Sequence, residues 1–309
     1  MNHSEIFRKA HAGHATCLAD EWHSAPCPPP AHPLVWSRRN GPWRELAVLF
    51  VGAAPGNAGG RGAGDMGAHA TRIPFGGDVA GANLDVLLAS AGLTRDEVFL
   101  VAALNRLPDA GGGEPTAREL SQPVGDYETS LHLLRDTMLA AHPRLVVTLG
   151  NVALRATIAA ARLAEDAGRS VVSDRVSMPS LERLKKAGLA RSVAAAWPVA
   201  HAPDPAFAEA WGPRPLPHVL WLTHPSAQNM SPHARVETAF HTRMLEARDA
   251  LRAAVAGVLG VTPPAMRKDV PLEGAAAVSG RSIYDLAEWR DAVGPRHATL
   301  DRLWRSKGV

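Results

Sequence analysis

Four short apolar runs punctuate the chain, at 46–52 (LAVLFVG), 98–103 (VFLVAA), 145–149 (LVVTL) and 219–222 (VLWL), each followed by a turn or loop segment. Unbroken apolar runs of this length are what a strand covered on both faces requires; a half-exposed strand alternates instead. Between them the period changes. Asn83 to Leu88 carries a helical apolar stripe with Gly92 beyond it as a stop, and helices are predicted near 117–122 and 126–141. An alanine-rich helix is expected from Asn151, directly after Gly150, and a longer one over 232–256. Strands and helices that alternate this regularly predict an α/β fold, a three-layer αβα sandwich around a central four-stranded, mostly parallel sheet.

Two segments break the alternation. Residues 165–217 hold a possible helix over 181–196 and then a proline-rich stretch, APDPAFAEAWGPRPLP, which reads as an insertion on the surface. After Thr262-Pro263-Pro264 the chain reads as an extension with one helix around 283–291. The organisation expected is therefore a loop-rich leader over 1–45, a core domain over 46–258 with an insertion at about 165–217, and an extension over 259–309.

Composition adds three constraints. The 25 prolines and 27 glycines favour loops over long helices. The net charge is +3, with arginine well ahead of lysine and a pI of about 9.1, which permits a polyanionic partner without requiring one. No stretch reaches the ~18 apolar residues of a spanning helix, and the first residues lack an apolar signal region, so a cytoplasmic protein without membrane association is expected. Cys17 and Cys27 are the two cysteines, too few for a disulfide framework and without the short spacing of a zinc knuckle, so no metal is expected.

In an open parallel sheet the chemistry lies in the loops at the carboxyl ends of the strands. Four stretches stand there: GAAPG at 52–56, RIPFGGDVAG at 72–81, ALNRLP at 103–108 and HPSAQNMSPHAR at 224–235. Together with VVTLGNVAL around Gly150, their order and spacing resemble the uracil-DNA glycosylase superfamily over roughly residues 46–250. The bacterial and archaeal branches called families 4 and 5 are the most similar, and Asp78 and Asn229 lean toward family 5. The resemblance implies an enzyme that flips uracil out of DNA and hydrolyses its N-glycosidic bond at the start of base excision repair, with uracil-containing DNA as partner and a monomeric chain.

The same residues support that chemistry physically. Breaking an N-glycosidic bond puts positive charge on the sugar and negative charge on the departing base, so a donor aimed at the base and an anion beside the sugar are both needed. His224 is the candidate donor; otherwise it is a histidine satisfied at a strand end. Asp78 is the candidate anion and water-positioning group; otherwise it is an N-cap for the helix that follows. Phe75 either stacks on the flipped base or packs beneath its loop. Gly52, Ala53, Ala54, Pro55 and Gly56 bring backbone N–H groups close to a ligand. Ser226 and Asn229 complete the base-binding set, and Met230 stands where a wedge fills the gap left by a flipped base, or is partly buried. Arg61, Arg72 and Arg235 flank these loops as candidate phosphate contacts.

Departures from the family pattern matter equally. Families 4 and 5 usually carry an iron–sulfur cluster on four cysteines; this chain has two, and Arg106 stands where one ligand would fall, so the cluster is expected to be absent. Ala53 replaces the acid of family 4. The asparagine that reads uracil there aligns with Ala102, leaving Asn105 as a substitute. Two other functions remain open from this pattern: a non-catalytic or covalently trapping DNA-lesion binder on the same fold, and a nucleotide-hydrolysing or cofactor-binding α/β protein. The second lacks any phosphate-loop or dinucleotide fingerprint.

Overall fold

Every residue of strands β1 (Val48–Gly52), β2 (Phe99–Ala102) and β3 (Leu145–Leu149) is buried; β4 (Ala194–Ala195) is half-buried, and β5 (His218–Leu222) is buried after its first residue. This follows from the unbroken apolar runs, which have no polar face to turn to water. The structure is a computed structural model that describes residues 48–53, 79–91, 93, 98–103, 126–163, 179–225 and 237–260. The leader, the stretch at 117–122 and the extension after Gly260 lie outside those residues.

The strands form one sheet in the order β2-β1-β3-β5-β4. All neighbours run parallel except β4, which pairs antiparallel with β5. The sheet thus has five strands rather than the expected four. The additional one is two alanines long and has none of the β-branched or aromatic residues that mark a strand; it forms because the chain passes the outer side of β5.

The helices are α1 (Val79–Ser90), α2 (Asp126–Ala141), α3 (Asn151–Ala161), α4 (Leu181–Lys186), α5 (Pro205–Trp211) and α6 (Glu237–Ala254), the last running into a π-helical turn over Val255–Leu259. Side chains alternate along β1, and the two sets enter different cores. Val48 and Phe50 join Leu84, Leu87 and Leu88 of α1 and Leu251 of α6. Leu49 and Val51 join Leu131 and Leu134 of α2 and Leu154 and Ile158 of α3. The result is the three-layer αβα sandwich. Among the described residues, no helix is long and apolar enough to cross a membrane.

The helix expected over 181–196 ends at Lys186. Gly188, at φ +89°, turns the chain, and the Leu189 N–H donates back to the Leu184 carbonyl at 3.1 Å, the closing bond of a glycine-terminated helix. Leu189 is thereby buried. The proline-rich stretch likewise does more than cover the surface. Asp204 accepts from the Ala206 N–H at 2.9 Å and Pro205 opens α5, so the stretch begins a helix, and Phe207 and Trp211 stack at 5.7 Å inside the core.

Candidate active site

β1 lies between β2 and β3, so the chain leaves it toward one side and later returns on the other. This is the switch point at which open parallel sheets hold ligands. Four strand ends meet there nearly level. Gly52 is paired with Ala102, and the Ala103 N–H donates to the Gly52 carbonyl at 2.8 Å. Leu149 is paired with Leu222, and the Gly150 N–H extends that ladder to the Leu222 carbonyl at 2.8 Å. His224 follows two residues later, half-buried.

Two contacts fix the turn that carries His224. The first is with Gly150, at φ 96° and ψ 174°, a conformation open essentially to glycine alone. A methyl group built there would stand 3.5 Å from the His224 Cβ, so the turn after β3 passes directly against the histidine. The second comes from the opposite helix layer. Asn83, fully buried in α1, donates through Nδ2 to the Pro225 carbonyl at 2.6 Å, a bond between residues 142 positions apart. Its Oδ1 is buried and has no hydrogen-bond partner among the described residues. Asn83 thus ties the helix that begins immediately after Asp78 to the His224 turn.

This tie predicts a measurable cost. Asn83→Leu would strip the buried Pro225 carbonyl of this donor, and leaving a buried polar group unsatisfied costs about 1–3 kcal/mol. Chemical denaturation should show a loss of that size. An unchanged midpoint and slope would mean that the turn holds without Asn83.

A third group of contacts stands on the other side of Gly150. Asn151 opens α3, and its Oδ1 accepts from the Arg191 guanidinium at 3.2 Å. The guanidinium lies over the Trp221 ring, 4.8 Å from its centroid. Burial, and then the charge of Arg243, lower the Arg191 pKa from its ordinary value.

Of the residues singled out from the sequence, the described part of the chain holds Gly52, Ala53 and His224. Gly52 is buried in the ladder, Ala53 is half-buried one residue past it, and His224 stands at the end of a neighbouring pair of strands. Ala54, Pro55, Gly56, Phe75, Asp78, Asn105, Ser226, Asn229, Met230, Arg61, Arg72 and Arg235 lie outside the described residues. Ala102 is 7% exposed and offers only a methyl group where a base-reading amide was sought. Asn83 and Arg191 were not anticipated as part of the site, and Gly150 and Asn151 were read only as the turn from strand to helix. For Asn83 a signal existed: it shares the buried stripe of α1 with Ala80, Leu84, Leu87, Leu88 and Ala91, and a polar residue in an apolar stripe asks for a partner.

A family model described as the uracil DNA glycosylase superfamily matches residues 39–248. No curated protein matches the chain.

Proposed function

Since the chain belongs to the uracil-DNA glycosylase superfamily, we propose that it is a monofunctional DNA glycosylase that excises uracil, and other deaminated bases to a degree set by its pocket, at the first step of base excision repair. The observation that carries this reading is the seating of His224 at the end of β5, next to that of β3: its Cβ lies beside the Gly150 turn, and the carbonyl of the following Pro225 is bound by Asn83. A donor fixed in that way needs no reorganisation when charge develops on the base, which is what electrostatic catalysis requires.

The base reaches such a site only by leaving the stack. Phe75 then stacks on it, backbone groups from 52–56 together with Asn105, Ser226 and Asn229 read or enclose it, and Met230 occupies the gap in the duplex. Arg61, Arg72 and Arg235 hold the phosphates. His224 stabilises negative charge on the base carbonyl as the glycosidic bond breaks. Asp78 stabilises the positive sugar and places the water that completes hydrolysis. Two cysteines cannot supply the four thiolates of an iron–sulfur cluster, so no step runs through one. The protein acts as a monomer in the cytoplasm.

A second reading has one specific support. Ala53, half-buried at the rim, has no carboxylate where family 4 has one, which favours a protein that captures a lesion without turning it over. The discriminating experiment presents purified protein with oligonucleotides bearing one uracil, hypoxanthine, xanthine or ethenocytosine, paired and unpaired. An enzyme releases many equivalents of free base. Stoichiometric attachment or binding without release supports the capture reading, and neither binding nor release overturns both.

A further inference from the structure

β5 is held on both flanks up to the point where it leaves the sheet. The Ser192 N–H donates to the Trp221 carbonyl at 2.8 Å on one flank, and the Gly150 N–H donates to the Leu222 carbonyl at 2.8 Å on the other. His224 stands two residues past the end of that ladder, and a proline follows it. A residue before proline is confined to extended conformations, and proline itself has a fixed φ and no N–H to donate. The backbone around the histidine therefore has little torsional freedom of its own. Pro225 offers a single hydrogen-bonding group, its carbonyl, by which the turn can be fastened. That carbonyl is the group Asn83 binds, at 2.6 Å.

Asn83 reaches it from a fixed base. Leu84, Leu87 and Leu88 of the same helix are fully buried in one core with Phe50 of β1, so α1 cannot slide without opening a close-packed layer. The asparagine side chain is short and fully buried, and only the N–H side of its amide can bond a carbonyl. Its Oδ1 finds no hydrogen-bond partner among the described residues, and a buried acceptor left unmet is costly. An apolar residue at 83 would carry no such acceptor, but it could not hold Pro225.

We infer that Asn83 is a positioning residue for His224: by binding the Pro225 carbonyl it fixes the turn that carries the histidine, whose Cβ lies beside the Gly150 turn. The inference rests on the DNA-glycosylase reading for the reaction that His224 serves. Misplacing a reacting group by about 1 Å costs on the order of 10²-fold in rate. A residue that acts only through a backbone carbonyl can therefore set the speed of base release.

The test compares variants in single-turnover base release from a uracil-containing oligonucleotide, well below their melting temperatures. Asn83→Leu should lower the rate about 10- to 10²-fold and leave DNA affinity within a few-fold. In the His224→Ala background the same substitution should cost nothing further, because effects transmitted through one group do not add. Thr137→Val, which removes a buried hydroxyl bonded to the Leu133 carbonyl at 2.7 Å in α2, controls for lost stability and should keep the rate. A second readout needs no activity. The NMR signal of the His224 Cε1–H, assigned by its loss in His224→Ala, should move in Asn83→Leu and stay in place in Thr137→Val. If Asn83→Leu does not fold, Asn83→Ser carries the same comparison, since its hydroxyl can turn back to a carbonyl of its own helix. An unchanged rate in the Asn83 variant overturns the inference, as does an equal loss in Thr137→Val, an equal further loss on top of His224→Ala, or a rate loss with an unmoved His224 signal. If the unmodified protein releases no base, the glycosylase reading fails and the signal alone decides whether Asn83 positions His224: moved, it does; unmoved, it does not.

Discussion

Single-turnover release of uracil from DNA is expected to fall ~10²- to 10³-fold when His224 is replaced by alanine, equivalent to about 3–4 kcal/mol of transition-state stabilisation. The size of the effect follows from how the residue is held. The Gly150 turn lies beside its Cβ, Asn83 holds the following carbonyl, and the backbone arrives from a strand locked into the sheet. A donor fixed by its neighbours loses its whole contribution on deletion, because that contribution depends on a position held in advance. DNA affinity should stay within a few-fold, since phosphate contacts dominate it. Full activity in His224→Ala would make the turn purely structural and remove the best-placed residue from the glycosylase assignment.

Asp78→Asn is expected to slow the same step by a similar factor, for a different reason. The carboxylate would balance the cationic sugar and orient water, and an amide does neither. Val79 begins α1, and α1 is bound to the His224 turn through Asn83, so in sequence Asp78 directly precedes a helix that is hydrogen-bonded to the element carrying His224. The competing role, an N-cap, gives a different result: asparagine caps a helix about as well as aspartate does. Asp78→Asn would then keep both the melting temperature and the rate, whereas Asp78→Ala would lose ~1 kcal/mol of stability with the rate intact. A large rate loss in the asparagine variant at unchanged stability separates catalysis from capping.

Much of the fold could be read directly from the apolar runs. β1, β2, β3 and β5 lie where they were expected, and α2 occupies 126–141 as predicted, because covered strands and long periodic helices leave unambiguous patterns. The segment from 179 to 217 did not read correctly. Its helices are short, its strand is two alanines, and its buried aromatics stand among prolines that suggest exposure. Trp197, Phe207 and Trp211 are nevertheless in the core, because Asp204 and Pro205 start a helix that docks on the end of α3, where the Asp204 N–H donates to the Ala161 carbonyl at 2.9 Å. Gly188 was a stop signal available in the sequence, and Leu189 beyond it was the apolar residue that such a stop tucks in. Of the candidate site, the strand-end positions of His224 and Gly52 were legible, because they follow from the runs. The long-range partners were not, because nothing local in the sequence pairs Asn83 with Pro225 or Arg191 with Asn151.

The two-residue strand β4 has a consequence for any attempt to shorten the protein. Without it, β5 would present its outer backbone groups as a bare edge along Val219 and Leu220, next to buried apolar side chains. A bare, apolar strand edge is a template for another chain. Excising 165–217 as though it were a dispensable loop would therefore leave a shortened protein prone to pair edge to edge with itself, and the segment serves the solubility of the fold as well as its architecture.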